Sequence, residues 1–198
     1  IDSQTVSQFS HKQLAQRVSY VPQTGGSHLT FTVEEFVRMA RYSHHHVFSE
    51  WQTHDHDMVE NALDITECRP FRHRKMSTLS GGECQRVMIA AALAQDTPIM
   101  LLDEPTAFLD PHHQVAVHQL ISKLNQQHHK TIIEVTHDIN HAAYHARHVL
   151  ALLGGKGLWH GKAEDFLDAA RLKLLYQQDF LFVQHPQHNR LIALADES

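Results

Sequence analysis

Leu79-Ser80-Gly81-Gly82-Glu83-Cys84-Gln85-Arg86 and, a short way on, Ile99-Met100-Leu101-Leu102-Asp103-Glu104-Pro105 decide the reading of this chain. In the first stretch, Ser80 and Glu83 have the S-x-x-E spacing of a capping box, which predicts a helix starting there. Gly81 and Gly82 leave the first backbone N–H groups of that helix uncovered by any Cβ. With the Ser80 hydroxyl and the helix dipole they make a site suited to phosphate. The second stretch is a continuous apolar run, which suits a strand buried on both faces of a parallel sheet. It ends in two adjacent carboxylates, Asp103 and Glu104. Ligands of open α/β sheets bind beyond the carboxyl ends of the strands. One carboxylate there suits Mg²⁺ and the other suits a water to be oriented or deprotonated.

Outward from these stretches, Val18–Val21 is strand-like and is stopped by Pro22, and Gly25-Gly26-Ser27 reads as a loop. Thr32 and Glu35 form a second capping box, with Val33, Phe36, Val37 and Ala40 at helical spacing behind it. Residues 43–57 read as a loop into a helix carrying Val59, Ala62 and Leu63 on one face. Val117, Leu120, Ile121 and Leu124 mark another helix, and residues 131–136 are β-branched and strand-like. A helix over 139–147, a last parallel strand over 149–153, a glycine turn, two short helical stretches and a terminal hairpin (180–183 with 191–193) follow. Strands alternating with helices predict an α/β fold with a mainly parallel sheet.

The 198 residues are 42% hydrophobic and 20% charged, ordinary for a globular chain. A formal charge of −5 argues against a basic nucleic-acid binder. No apolar run approaches the roughly 18 residues of a membrane span. Cys68 and Cys84 are too few for a disulfide framework or a paired-cysteine zinc site. The 20 histidines are the compositional oddity. Most stand in adjacent pairs in polar stretches, a poor chelating geometry, so solvated surface histidine is the expectation. His54-Asp55-His56-Asp57 is the best metal candidate among them.

Taken in order, the chain resembles the ATP-binding subunits of ABC transporters. Leu79–Arg86 looks like the family's signature motif, Ile99–Pro105 like its Walker B strand and Phe108-Leu109-Asp110 like its D-loop. Thr136-His137-Asp138 looks like the switch-histidine segment and Tyr20-Val21-Pro22-Gln23 like the Q-loop. The resemblance implies a P-loop NTPase-like α/β fold with an inserted helical subdomain. It implies two subunits, a homodimer or a pair of related ATPases, enclosing two ATP molecules. Asp103 is then expected to hold Mg²⁺ through water, Glu104 to be the general base, and Gln23 to approach the metal and the attacking water. His137 is expected to reach the γ-phosphate. Ser80, Gly81 and Gly82, with Glu83 nearby, are expected to meet the γ-phosphate of the partner's ATP, and Asp110 to bridge the dimer. The implied partition is 1–23 (remainder of the ATP-binding core), 24–95 (helical subdomain), 96–158 (ATPase core) and 159–198 (terminal helices and hairpin).

No G-x-x-x-x-G-K-[ST] pattern occurs in the 198 residues. Gly154-Gly155-Lys156-Gly157 lacks the following Ser or Thr and reads as a turn. The chain begins at Ile1 rather than Met, and the expectation is an N-terminally truncated sequence whose missing part carries the P-loop and the adenine-stacking aromatic residue. Such a chain is expected to bind ATP poorly alone and to leave apolar sheet surface uncovered. The residues 93–99, 106–110, 41–44 and 161–198 look most like ATPases of importers for iron chelates, haem and cobalamin. That implies an integral membrane permease docking near Gln23–Arg41, an external substrate-binding protein, and a peripheral place on the cytoplasmic face of the plasma membrane. Cys84 stands where Arg or Gln is common in the family. The alternatives are a non-transport ABC ATPase of repair or ribosomal type, or a non-catalytic fragment.

Overall fold

The computed structural model describes residues 1–23, 29–45, 50–187 and 190–196. The expected loop at Gly25–Ser27, part of the expected permease groove and His46 lie outside the described residues. The chain divides into two compact units, Ile1–Val135 and Thr136–Ser198.

The first unit begins with α1 (His11–Ala15) and β1 (Val18–Val21), then α2 (Val33–Met39), α3 (Thr53–Ile65) and α4 (Gly81–Ala94). It closes with β2 (Ile99–Asp103), α5 (Pro111–Gln126) and β3 (Thr131–Val135). Both sequence-predicted capping boxes form. Thr32 Oγ1 accepts from Glu35 N and Ser80 Oγ from Glu83 N, while each glutamate reaches back to its cap's backbone N–H. α3 starts at Thr53, inside the expected loop, because the Asp55 carboxylate accepts from the Gln52 backbone N–H and begins the helix early.

The three strands form one parallel sheet in the order β1-β2-β3, with Val21 opposite Leu102 and Asp103 opposite Val135. β2 is not buried on both faces. Met100 and Leu102 are buried, whereas Ile99, Leu101 and Asp103 are only partly covered. One face packs under α4 and α5, where Val21, Val87, Ile89, Val117 and Leu124 join a single apolar core. The other face leaves Tyr20, Ile133 and Val135 exposed. The apolar run in the sequence therefore signals a one-sided core, with the second set of side chains half-covered.

Behind α4 sits a buried ion pair. Arg41 donates to Asp55 Oδ1 through Nε at 3.0 Å and to the Ala94 carbonyl at 2.8 Å. Arg41 is 2% exposed, the largest wholly buried side chain of the unit. It ties the end of α2 to α3 and to the last turn of α4, satisfying a carbonyl that the helix leaves without an internal partner. Burial alone would push the Asp55 carboxyl up, but the Gln52 N–H and the Arg41 guanidinium bring it below the ordinary range.

The second unit holds α6 (Ile139–His145), β4 (His148–Leu153), β5 (Lys156–Lys162), α7 (Ala169–Tyr176), β6 (Phe180–Gln184) and β7 (Leu191–Ala195). The strand expected to end the parallel sheet is instead β4, paired antiparallel with β5. Gly154 and Gly155, both at positive φ (57° and 76°), turn the chain straight back. Left-handed backbone at both turn positions is the condition of a tight hairpin, and glycine meets it without steric cost. The glycine stretch is thus the expected turn. β6 and β7 form the expected terminal hairpin. Asn140 clamps this hairpin to α6, donating to the Ala193 carbonyl and accepting from its N–H. Ala151, Phe166, Leu172 and Ala193 form the unit's own core.

Replacing Arg41 by Met leaves the Asp55 carboxylate buried without its guanidinium, and removing one partner of such a pair costs about 3–5 kcal/mol. Denaturant unfolding is expected to show that loss near neutral pH. Because the folded Asp55 carboxyl lies below its unfolded value of about 3.9, the wild-type advantage should persist above that pH and shrink as pH falls through the folded value. A difference that stays constant through the acid range contradicts the assignment.

Candidate functional site

Parallel pairing of β1 with β2 brings their carboxyl ends out on one edge. Val21 lies opposite Leu102, and Gln23 and Glu104 each follow two residues later. The equal offset lets the two side chains meet: Gln23 Nε2 donates to Glu104 Oε2 at 3.1 Å. Asp103, the last residue of β2, accepts from the Tyr20 hydroxyl through Oδ2 at 2.9 Å. The Tyr20 phenol is pushed above its ordinary value, chiefly by that hydrogen bond to Asp103. Three of the sequence-predicted residues thus gather at this edge, joined by Tyr20, which the sequence reading did not select.

Glu104 departs from strand geometry with φ 45°, and Phe108 does so with φ 62°. Non-glycine residues in this region carry strain of about 1–3 kcal/mol, which concentrates at functional positions. The Glu104 backbone is nonetheless fixed, since its N–H donates to the Val135 carbonyl at 2.9 Å and its carbonyl accepts from Ala107 at 3.0 Å. The turn therefore points the chain away from the sheet immediately after the two carboxylates. Phe108 is 88% exposed, an apolar ring presented to solvent beside Leu109 and Asp110.

The start of α4 is the second group. Ser80 is its N-cap and Gly81 and Gly82 are its first residues. Glu83 accepts from the Ser80 backbone N–H at 2.8 Å and pairs with Arg74 at 2.9 Å. The Ser80 N–H, with help from Arg74, holds the Glu83 carboxyl below its ordinary value. Asp110 caps α5, accepting from the His113 backbone N–H at 3.0 Å, and Pro111 follows at the first helical position. The Asp110 carboxyl is lowered by that backbone bond and then by the His113 side chain. The starts of α4 and α5 touch: a Cβ built on Gly81 would meet Leu109 Cδ2 at 3.6 Å. His137 belongs to the second unit, just before α6, whose N-cap Asp138 accepts from the His141 N–H. Cys84 is buried, and burial pushes its thiol above the ordinary value.

A family model described as ABC transporter matches residues 1–107. The chain belongs to the ABC transporter family. The ferric enterobactin transport ATP-binding protein FepC of Escherichia coli is 34% identical over 186 residues, covering 94% of this chain and 69% of FepC. The iron(3+)-hydroxamate import ATP-binding protein FhuC of Bacillus subtilis is 35% identical over 194 residues, covering 98% of this chain and 72% of FhuC. Among solved structures, an inward-facing transporter assigned to the metal-chelate ABC type superposes with a TM-score of 0.83 at 28% identity, covering 91% of this chain and 73% of that one. A dimeric ATP-binding cassette in a post-hydrolysis state with ADP and Pi gives 0.67 at 29%, covering 82% of this chain and 72% of that one. This ABC chain therefore shares the α/β fold of ATP-binding cassettes, and its relatives are importer ATPase subunits. Among the described residues, no helix is long and apolar enough to cross a membrane.

Titrating the phenol of Tyr20 by ring-resolved NMR is expected to place it above about 10, and Asp103→Asn is expected to bring it back toward that ordinary value. An unchanged titration in the variant contradicts the Tyr20–Asp103 contact.

Proposed function

We propose that this chain is the ATP-hydrolysing subunit that energises an importer of iron chelates, haem or cobalamin. The observation that carries the reading is the Gln23–Glu104 hydrogen bond of 3.1 Å at the edge where β2 delivers Asp103. It sets a neutral amide against one carboxylate of an adjacent acidic pair. A glutamate there accepts a proton from water as that water attacks the γ-phosphate, while the Gln23 amide holds the same water in line. Phosphoryl transfer depends mostly on such positioning and on charge stabilisation.

The Asp103 carboxylate is a hard oxygen donor of the kind Mg²⁺ takes, and Tyr20 holds one of its oxygens in place. Asp103 would hold Mg²⁺ there, and the metal would supply neutralisation of charge on the phosphate oxygens of ATP. Ser80, Gly81 and Gly82 contact the γ-phosphate of the partner's ATP, Gly81 and Gly82 through backbone N–H groups at the helix start, while Glu83 takes the Ser80 N–H and holds that start in shape. Asp110 bridges to the partner subunit and His137 reaches the γ-phosphate. The partner is a second copy or a related ATPase, as the dimeric cassette relative suggests by analogy.

The chain sits peripherally on the cytoplasmic face of the plasma membrane, coupled to a permease and through it to an external substrate-binding protein. The names of the enterobactin and hydroxamate relatives support an iron-chelate cargo. Functionally the chain partitions at 23, 95 and 158 into core, helical subdomain, core and terminal region. The P-loop pattern is not among the 198 residues, so turnover is assigned to the full-length chain that carries one, assembled in its transporter, and not to these 198 residues alone.

In that transporter, Glu104→Gln is expected to slow ATP hydrolysis by about 10²–10⁴, the usual worth of a positioned base, while ATP-induced pairing of the subunits persists. Phosphate release at the wild-type rate contradicts the assignment of the base.

A further inference from the structure

We infer that His113 is a positioning residue that ties the D-loop carboxylate Asp110 to the signature glycine Gly82, so that the two cross-dimer contacts move as one. The inference rests on the ATPase reading above. His113 Nδ1 lies 2.7 Å from Asp110 Oδ2, while the His113 backbone N–H binds the other oxygen, Oδ1, at 3.0 Å. An ionised carboxylate only accepts, so Nδ1 carries the hydrogen and the ring orientation is set by Asp110. The far edge of the ring lies against Gly82. A Cβ on Gly82 would fall 2.1 Å from His113 Cδ2, 2.6 Å from Cγ and 2.9 Å from Nε2.

The imidazole thus occupies the volume a side chain at Gly82 would need. Gly81 is different, because a Cβ there meets Leu109 at ordinary van der Waals distance. Gly82 is buried while the His113 side chain is only 31% exposed, so the contact is enclosed on the glycine side. A carboxylate, a ring fixed by it and a glycine backbone pressed on that ring form a short mechanical chain. Asp110 and Gly82 are the residues assigned to the partner subunit and to its ATP. Displacing either end through His113 displaces the other. The sequence gives no hint of this: His113 stands in an adjacent histidine pair, indistinguishable there from the surface-biased remainder.

The test has two parts. In thermal unfolding of the full-length subunit, Gly82→Ala is expected to lower the midpoint by several degrees, and Gly82→Ala with His113→Ala to recover most of the loss, since the ring is then gone. Losses that simply add overturn the contact. In the assembled transporter, His113→Ala is expected to lower kcat for ATP about 10- to 10²-fold with KM little changed, as loss of alignment does. His113→Asn keeps an N–H donor near the Nδ1 position and should restore most of the rate. His113→Phe fills the space without the donor and should not. Equal rates for all three variants and wild type, or rescue by Phe but not by Asn, overturn the tether. Glu104→Gln run alongside separates the two ideas, because an unaffected rate there removes the ATPase reading itself.

Discussion

The parallel register between β1 and β2 is the constraint on which the site depends. Hydrogen bonding fixes Val18 opposite Ile99 and Val21 opposite Leu102. Because both strands run the same way, every residue that follows them emerges at one edge. A shift of one residue would turn Tyr20 to the other face relative to Asp103 and part Gln23 from Glu104. The register is itself held by burial. Val21, Met100 and Leu102 must face the helices together, and Ser19 and Thr97 meet by a buried hydroxyl contact of 2.9 Å. Chemistry at the edge is therefore a consequence of packing in the interior.

A second constraint acts through helix starts. Ser80, Asp110 and Thr32 each accept a backbone N–H of the helix that follows, and these bonds fix where the chain turns. At α4 and α5 the fixed positions are those to which the proposed function gives the phosphate and dimer contacts. A cap that holds a helix end in shape also holds its remaining N–H groups in a constant direction. Asp110 illustrates the double use: the carboxylate assigned to cross-dimer bridging is, within this subunit, already bound to His113 by backbone and ring. Bridging therefore draws on a carboxylate whose place is set beforehand.

Much of this was legible in the sequence, for identifiable reasons. The capping boxes at Thr32 and Ser80 are local patterns with a three-residue reach, and both form as read. β1, β2 and β3 were visible from short apolar or β-branched runs. Motif order gave Gln23 an expected approach to the metal and the attacking water; its hydrogen bond to Glu104 became visible only in the fold. What was not legible needed long-range contact. Tyr20 meets Asp103 across 83 residues of chain, and nothing near Tyr20 announces it. Nothing local marks Arg41 for burial; the fold brings Asp55 and the Ala94 carbonyl around it. His113 reads as one of many histidines until Gly82 is placed beside it. The placement of β4 failed for a different cause. An apolar run specifies a strand but not its neighbours, and the Gly154-Gly155 turn gave it an antiparallel one.

The central claim is that the acidic edge of one subunit and the glycine-led helix of another complete a single catalytic centre. Mixing transporter subunits carrying Glu104→Gln with subunits carrying Ser80→Arg, then measuring ATP hydrolysis, tests it most directly. In a mixed pair, one centre combines both defects and the other combines an intact Glu104 with an intact Ser80. The account predicts hydrolysis well above that of either variant alone. No recovery in demonstrated mixed pairs would mean that both residues serve the same subunit's nucleotide, contrary to the account.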